Sequence, residues 1–128
     1  ILMKILLVDD DGFLRDMYTT KFVDHGYEVD VADGSASVIA KLQQGLKYDL
    51  IILDMVMPGT SGVELLTIIR AEFPEQTKCC IFLSNQGQDE DIREATEAGA
   101  IGYIIKAESI PSEVVKKVED IMKKCKAK

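Results

Sequence analysis

The sequence predicts an α/β fold in which helices cover both faces of a five-stranded parallel sheet, on the basis of three observations. Five short apolar segments alternate with five longer segments of amphipathic pattern along the 128 residues. Four of the apolar segments are nearly continuous, as is typical of strands buried on both faces. The chain contains no internal repeat and no low-complexity tract, so we expect residues 1–128 to form a single domain.

The predicted strands differ in how much of their surface is apolar. Nearly continuous apolar runs predict buried strands over residues 3–8, 50–53, 79–83 and 101–105. In the remaining strand, residues 27–32, the apolar positions alternate with Glu28 and Asp30. Such alternation indicates that one face meets solvent, so we expect this strand at an edge of the sheet.

Helical patterns follow each strand. They cover residues 14–22, 39–46, 62–73, Asp89–Ala98 and 114–125. Gly26 and Pro74 end the first and the third of these helices, and Pro111 lies in the first turn of the last. The segment Asp89–Ala98 is mostly charged. Right-handed crossovers and a single edge strand then favour the doubly wound strand order 2-1-3-4-5. This is the flavodoxin-like (βα)5 arrangement.

Composition restricts the function. The formal net charge of −7 argues against direct nucleic acid binding, because binding to phosphates requires a cationic surface. No apolar run is long enough to span a membrane and no signal peptide is visible, so we expect a cytoplasmic protein without membrane contact. The three cysteines have no metal-type spacing. We therefore expect free thiols in a reducing compartment.

Polar side chains follow four of the five predicted strands. They are Asp9, Asp10 and Asp11 after the first strand, Asp54 after the third, Ser84 and Asn85 after the fourth, and Lys106 after the fifth. Ligands of doubly wound sheets bind at these carboxyl ends, and strands one and three are neighbours in the predicted order. Asp9, Asp10 and Asp54 should therefore converge, and a hard cation such as Mg²⁺ would relieve their mutual repulsion. Helix N-capping alone explains Asp11 but not the rest of this set.

Four segments together resemble the receiver domains of two-component response regulators. They are residues 7–11 (LVDDD), 54–62 (DMVMPGTSG), 83–85 (LSN) and 102–106 (GYIIK). The resemblance extends over essentially the whole chain. The Asp-x-x-x-Pro-x-x-x-Gly pattern from Asp54 to Gly62, placed between a strand and a helix, is its most specific part.

The resemblance implies that Asp54 accepts a phosphoryl group, since a carboxylate is a competent nucleophile for that transfer. It further implies that Mg²⁺ is held directly by Asp10, largely through water by Asp9, and also by Asp54 and the backbone carbonyl of Val56. Such a domain catalyses only its own phosphorylation and dephosphorylation.

Further residues acquire roles from the same resemblance. Lys106 would pair with the incoming phosphoryl oxygens, while Ser84 and the backbone of Asn85 would bind the group after transfer. Ser84 and Tyr103 would form the conformational switch. Ala107 stands where many family members carry Pro after the lysine, which puts the usual cis turn there in doubt.

The implied partners are proteins. The single histidine, His25, lies at a predicted helix end and is not expected to donate phosphate. The donor would then be a sensor histidine kinase or a histidine phosphotransfer protein. The signal would pass from the fourth helix, fifth strand and fifth helix to a protein effector, or to an output domain absent from this chain.

The sequence leaves two alternatives open. Residues 9–12 (DDDG) also resemble the opening motif of haloacid-dehalogenase-type phosphatases, in which Asp9 would be the nucleophile and Asp11 the acid/base. That family needs a further acidic pair on a strand after the lysine, and only a helix follows Lys106 here. The second alternative is a pseudo-receiver that binds partners without phosphorylation, which the intact acidic set disfavours.

Overall fold

The computed structural model of the chain describes residues 3–126. In this part of the chain, five parallel strands form one sheet of order β2-β1-β3-β4-β5, which confirms the predicted doubly wound fold. The strands are β1 (Lys4–Val8), β2 (Glu28–Ala32), β3 (Tyr48–Leu53), β4 (Thr77–Ser84) and β5 (Gly102–Ile105). The helices are α1 (Gly12–Asp24), α2 (Ser35–Gln43), α3 (Gly62–Glu72), α4 (Asp89–Ala98) and α5 (Pro111–Lys126), with a short 3-10 turn at Lys106–Glu108.

Strands β3 and β4 each begin two residues before the predicted start. Tyr48 pairs with Thr77 in the parallel register, so the two strands extend together toward their amino ends. Asp49 interrupts the apolar pattern there, and its carboxylate accepts a hydrogen bond of 2.8 Å from the backbone N–H of Lys4. The first residues of both strands are partly polar, so the hydrophobic pattern did not predict this pairing.

Alternation along the strands separates the core into two layers. On one face of the sheet, residues such as Leu6 and Phe82 pack against α2, α3 and α4. On the other face, residues such as Ile5 and Ile81 pack against α1 and α5. The β2 strand lies at one edge and is only partly buried, as its alternating pattern predicted. The helices of the described residues are too short or too polar to span a bilayer.

The expectation of free thiols is wrong for two of the three cysteines. Cys79 and Cys125 form a disulfide, with their Cα atoms 6.7 Å apart. Cys80 is free and buried on the opposite face of the sheet. The sequence did not show that the last turn of α5 packs over the start of β4. A cross-link over 46 positions stabilises the fold by about 4 kcal/mol in the chain-entropy account.

Candidate functional site

The carboxyl edge of the sheet brings the predicted acidic residues together. Asp9 and Asp10 follow β1, and Asp54 follows the neighbouring strand β3. One carboxylate oxygen from each of these three residues lies within 4.8 Å of the other two. Asp9 and Asp54 are buried, whereas Asp10 is exposed, so one side of the cluster is open to solvent.

Lys106 closes the buried side of this acidic cluster. Its Nζ lies 2.7 Å from Asp9 Oδ2 and 2.8 Å from Asp54 Oδ2, and only 7% of its side chain is exposed. Burial alone would lower the pKa of Lys106, but the hydrogen bonds and negative charges of Asp54 and Asp9 outweigh it and raise the pKa above its ordinary value. The lysine is therefore a permanent cation between two carboxylates.

The second oxygen of Asp54 faces hydrogen-bond donors. Ser84 donates its hydroxyl to Asp54 Oδ1 at 2.7 Å, and the backbone N–H of Val56 approaches the same oxygen at 3.3 Å. Ser84 is buried and in turn accepts a hydrogen bond of 3.2 Å from the backbone N–H of Gln86. The two oxygens of Asp54 thus differ, since one faces a cation and the other faces neutral donors.

The three acidic residues after β1 make different contacts. Asp9 Oδ1 accepts a hydrogen bond of 3.0 Å from the backbone N–H of Asp11. Asp11 caps α1, because its carboxylate accepts from the backbone N–H groups of Phe13 and Leu14 at 3.0 and 3.1 Å. Asp10 is left with its side chain toward solvent at the edge of the cluster.

Arg15 is a neighbour of the site that sequence reasoning missed. Its Nη1 donates a hydrogen bond of 2.9 Å to the backbone carbonyl of Asp9. This contact fixes the chain where β1 turns into α1, directly before Asp10. A basic residue in the first turn of a helix carries no distinctive signal, because it usually points to solvent.

The loop after β3 returns tightly over Asp54 because of Gly62. The backbone N–H of Gly62 donates to the carbonyl of Met55 at 3.0 Å, and Ser61 caps α3 by accepting from the backbone N–H of Glu64 at 3.2 Å. A Cβ atom at position 62 would lie 2.1 Å from the Asp54 carbonyl oxygen. The glycine of the sequence motif is therefore required by close approach.

Val56 and Asn85 lie on the two loops that flank Asp54, and both side chains are exposed. The Lys106–Ala107 peptide bond is trans, like the other peptide bonds of the described region. This agrees with the doubt that Ala107 raised about a cis turn.

Tyr103 lies one strand away from Ser84, at the edge of the sheet. Its hydroxyl donates to the backbone carbonyl of Gln86, and its ring stacks on Phe82 with centroids 6.0 Å apart. Burial raises the pKa of Tyr103, so the phenol stays protonated and able to donate. Ser84 and Tyr103 therefore both contact Gln86, on the loop between β4 and α4. Gln86 was not predicted as their common partner, because only the folded loop brings it to both.

This arrangement places the buried carboxylate of Asp54 between a cation and a hydroxyl, beside the solvent-exposed carboxylate of Asp10. Such groups suit transfer of a charged phosphoryl group, which depends mainly on positioning and charge neutralisation. The same geometry does not favour a phosphatase based on Asp9. Lys106 binds the Asp9 carboxylate, and the Asp11 carboxylate is used as a helix cap.

Comparison with known proteins identifies the family. A family model described as the response regulator receiver domain matches residues 5–119. The chain is 36% identical over 123 residues to the transcriptional regulatory protein ResD of Bacillus subtilis, and the alignment covers 94% of this chain and 48% of ResD. It is 33% identical over 105 residues to the chemotaxis protein CheY-3 of Vibrio cholerae, and the alignment covers 81% of this chain and 80% of CheY-3. The chain thus spans about half the length of ResD and most of CheY-3.

Solved structures agree with this assignment. The chemotaxis response regulator CheY4 of Vibrio cholerae superposes with a TM-score of 0.84 at 28% identity, covering 94% of this chain and 99% of that one. A CheY-like receiver domain protein from Methanospirillum hungatei superposes with a TM-score of 0.86 at 26% identity, covering 99% and 98%. The comparisons give no support to the phosphatase alternative. The chain belongs to the response regulator receiver domain family.

Proposed function

We propose that this domain is a switch in a two-component system, and that Asp54 accepts a phosphoryl group from a phosphohistidine of a partner protein. The proposal rests on the position of Asp54. Its two carboxylate oxygens lie 2.8 Å from the ammonium group of Lys106 and 2.7 Å from the hydroxyl of Ser84. A nucleophile between these groups attacks phosphorus while its surroundings already offer contacts for the transferred oxygens.

An oxygen of Asp54 forms a bond to phosphorus, the bond from phosphorus to the histidine nitrogen breaks, and the electron pair of that bond stays on the imidazole. Lys106 then contacts one phosphoryl oxygen, and Ser84 and the backbone N–H of Asn85 bind others. The product is an aspartyl phosphate, which the domain itself hydrolyses slowly.

The acidic cluster fits a magnesium ion. Mg²⁺ prefers a small number of carboxylates together with water, and here three carboxylates converge while the exposed Asp10 leaves one side open to solvent. Asp9, Asp10, Asp54 and the carbonyl of Val56 would hold it. When bound, the ion would neutralise negative charge on the nucleophile and on the incoming phosphoryl group.

The partners follow from this chemistry. The phosphoryl donor is a sensor histidine kinase or a histidine phosphotransfer protein, and the domain acts on no other substrate. The face made by α4, β5 and α5 transmits the signal to a protein effector or to an output domain beyond this chain. Residues 1–128 act as one receiver domain in the cytoplasm, where its kinase presents the phosphohistidine, and the domain binds neither nucleic acid nor membrane directly.

Mass spectrometry after incubation with acetyl phosphate and magnesium tests the proposal. The intact protein should gain the mass of one phosphoryl group, and Asp54→Asn should abolish this gain. Asp11→Asn is the matched control, because asparagine retains the helix cap and should leave labelling unchanged. A label that survives in Asp54→Asn, or that maps to Asp9, would contradict the assignment, and no label at all would favour the pseudo-receiver.

A further inference from the structure

The disulfide lies at the end of the sheet opposite Asp54. Neighbouring residues on a strand point to opposite faces, so Cys79 faces α1 and α5 while Cys80 faces α3. Cys125 occupies the last turn of α5 and is joined to Cys79 across the Cα separation of 6.7 Å. This separation lies within the range that a disulfide spans without movement of the backbone. The start of β4 and the last turn of α5 therefore lie at a separation that suits a disulfide between this particular pair of cysteines.

We propose that Cys79 and Cys125 form a reversible redox site, which exchanges with small-molecule disulfides of the glutathione class and fastens the last turn of α5 to β4. Both cysteines line a cleft at the amino edge of the sheet, together with Met3, Met122 and Lys124. The cleft is open to solvent and gives a small thiol or disulfide a path to the pair.

The two sulfurs are not equally accessible. Only 4% of Cys79 is exposed, whereas Cys125 is half-buried in the last turn of a helix. The more accessible sulfur reacts first with an external reagent. Cys125 is therefore the entry point, and Cys79 is the resolving residue that lies against it.

Oxidation of the dithiol form proceeds in two balanced steps. The thiolate of Cys125 attacks one sulfur of the small disulfide, breaks its S–S bond and releases one small thiolate. The thiolate of Cys79 then attacks the Cys125 sulfur of this mixed disulfide and releases the second. Two protein thiols are oxidised, one small disulfide is reduced to two thiols, and the two protons go to solvent or to the released thiolates.

The bridge matters for α5 because it adds a covalent anchor at the helix terminus. The helix is otherwise held to the sheet by apolar side chains, among them Val114, Val118 and Met122. Helix ends fray unless they are tied, so reduction should loosen the turn around Cys125 first. Because α5 belongs to the proposed signalling face, the redox state would also alter that face, a consequence that rests on the proposed function.

Equilibration in glutathione buffers tests the site directly. The protein is held at graded ratios of oxidised to reduced glutathione, quenched with acid, unfolded, alkylated and analysed by peptide mass spectrometry. Cys79 and Cys125 should lose alkylation together as the ratio rises. Cys79 and Cys80 are almost equally buried, so the alkylation is done on the unfolded protein, where Cys80 has no disulfide partner and should be alkylated at every ratio. The proposal is wrong if Cys79 and Cys125 stay alkylated throughout or respond independently.

A stability measurement supplies the matched control. Reductant should lower the Tm of the unmodified protein and of Cys80→Ala by roughly 15 °C. It should leave Cys125→Ser unchanged, because that variant has no bridge to lose. Equal responses of all three proteins would overturn the proposal. Labelling of Asp54 by acetyl phosphate is measured separately on the same samples, so failure of the proposed function and failure of the redox site are distinguished.

Hydrogen exchange reports the structural consequence. Amides of the last two turns of α5 should exchange at least about tenfold faster in the reduced protein, while those of α1 on the same face of the sheet should not change. Equal exchange in α5 for both redox forms would show that the bridge does not fasten the helix.

Discussion

The carbonyl oxygen of Asp54 and the α-carbon of Gly62 are so close that a Cβ atom on Gly62 would lie 2.1 Å from that oxygen. The same atom would lie 2.7 Å from the ring of Phe82. The end of β3 and the start of α3 are therefore in direct backbone contact, and this contact sets the path of the loop that carries Val56 over the site.

Gly62→Ala should destabilise the protein by about 3 kcal/mol, because a rigid backbone rather than a flexible side chain opposes the new methyl group. Urea unfolding monitored by circular dichroism measures the effect. Gly34→Ala is the control, since no neighbouring atom lies within 4 Å of its added Cβ. That variant should lose less than about 1 kcal/mol, and equal losses would show that crowding at Gly62 is not the cause.

Lys106→Met should lower the rate of Asp54 phosphorylation and the stability of the free protein. It leaves the buried carboxylates of Asp9 and Asp54 without their shared cation, and breaking a buried ion pair costs about 3–5 kcal/mol. Lys41→Met removes the cation beside Asp30, whose side chain is 29% exposed and keeps its hydrogen bond from Tyr48, and should cost at most about 1 kcal/mol. Labelling rates with acetyl phosphate and urea midpoints provide the two readouts. An undiminished labelling rate in Lys106→Met would contradict its role.

Magnesium should stabilise the unmodified protein and not Asp10→Ala. A ligand that binds only the folded state adds about 2.7 kcal/mol when its concentration is a hundred times its dissociation constant. Thermal unfolding in magnesium and in chelator measures this shift, and titration calorimetry measures the binding itself. Asp10 is exposed, so its replacement should leave the metal-free fold intact. Equally fast phosphorylation in chelator would contradict the metal site.

Val56→Asn should speed loss of the phosphoryl group roughly tenfold, which corresponds to one hydrogen bond of about 1.4 kcal/mol gained in the transition state. Val56 lies two residues after Asp54 with 60% of its surface exposed, and its apolar side chain cannot orient an attacking water. Val23→Asn is the control, because Val23 is also an exposed valine but lies on α1. An unchanged or slower rate in Val56→Asn would leave Gln86 as the residue to test.

Phosphorylation should change hydrogen exchange at α4 and Tyr103. Among the residues of α4, only Ala95 is fully buried, so this helix has few apolar anchors and should shift readily. Ser84 moving toward new phosphoryl oxygens would disturb the Gln86 loop, to which the hydroxyl of Tyr103 is bonded. Exchange with and without a phosphate mimic checks this, with Tyr103→Phe as the variant that lacks the bond. Changes confined to residues 9–11 and Asp54 would show that the signalling face lies elsewhere.

Local patterns in the sequence determined the order of elements and the residues at the strand ends. Apolar runs and helical stripes report burial over a few residues, so they predicted five strands, five helices and the edge position of β2. Because parallel strands end at one edge, the same patterns predicted that Asp9, Asp10 and Asp54 would converge.

Tertiary structure decided which atoms of these residues meet. Lys106 contacts Asp9 across 97 positions of sequence, and Cys79 reaches Cys125 rather than leaving a free thiol. Arg15 donates to the backbone carbonyl of Asp9, and no pattern of side chains in the sequence predicts such a contact. Such contacts depend on how helices pack over strands distant in sequence, whereas periodicity reports only which face of each element is buried.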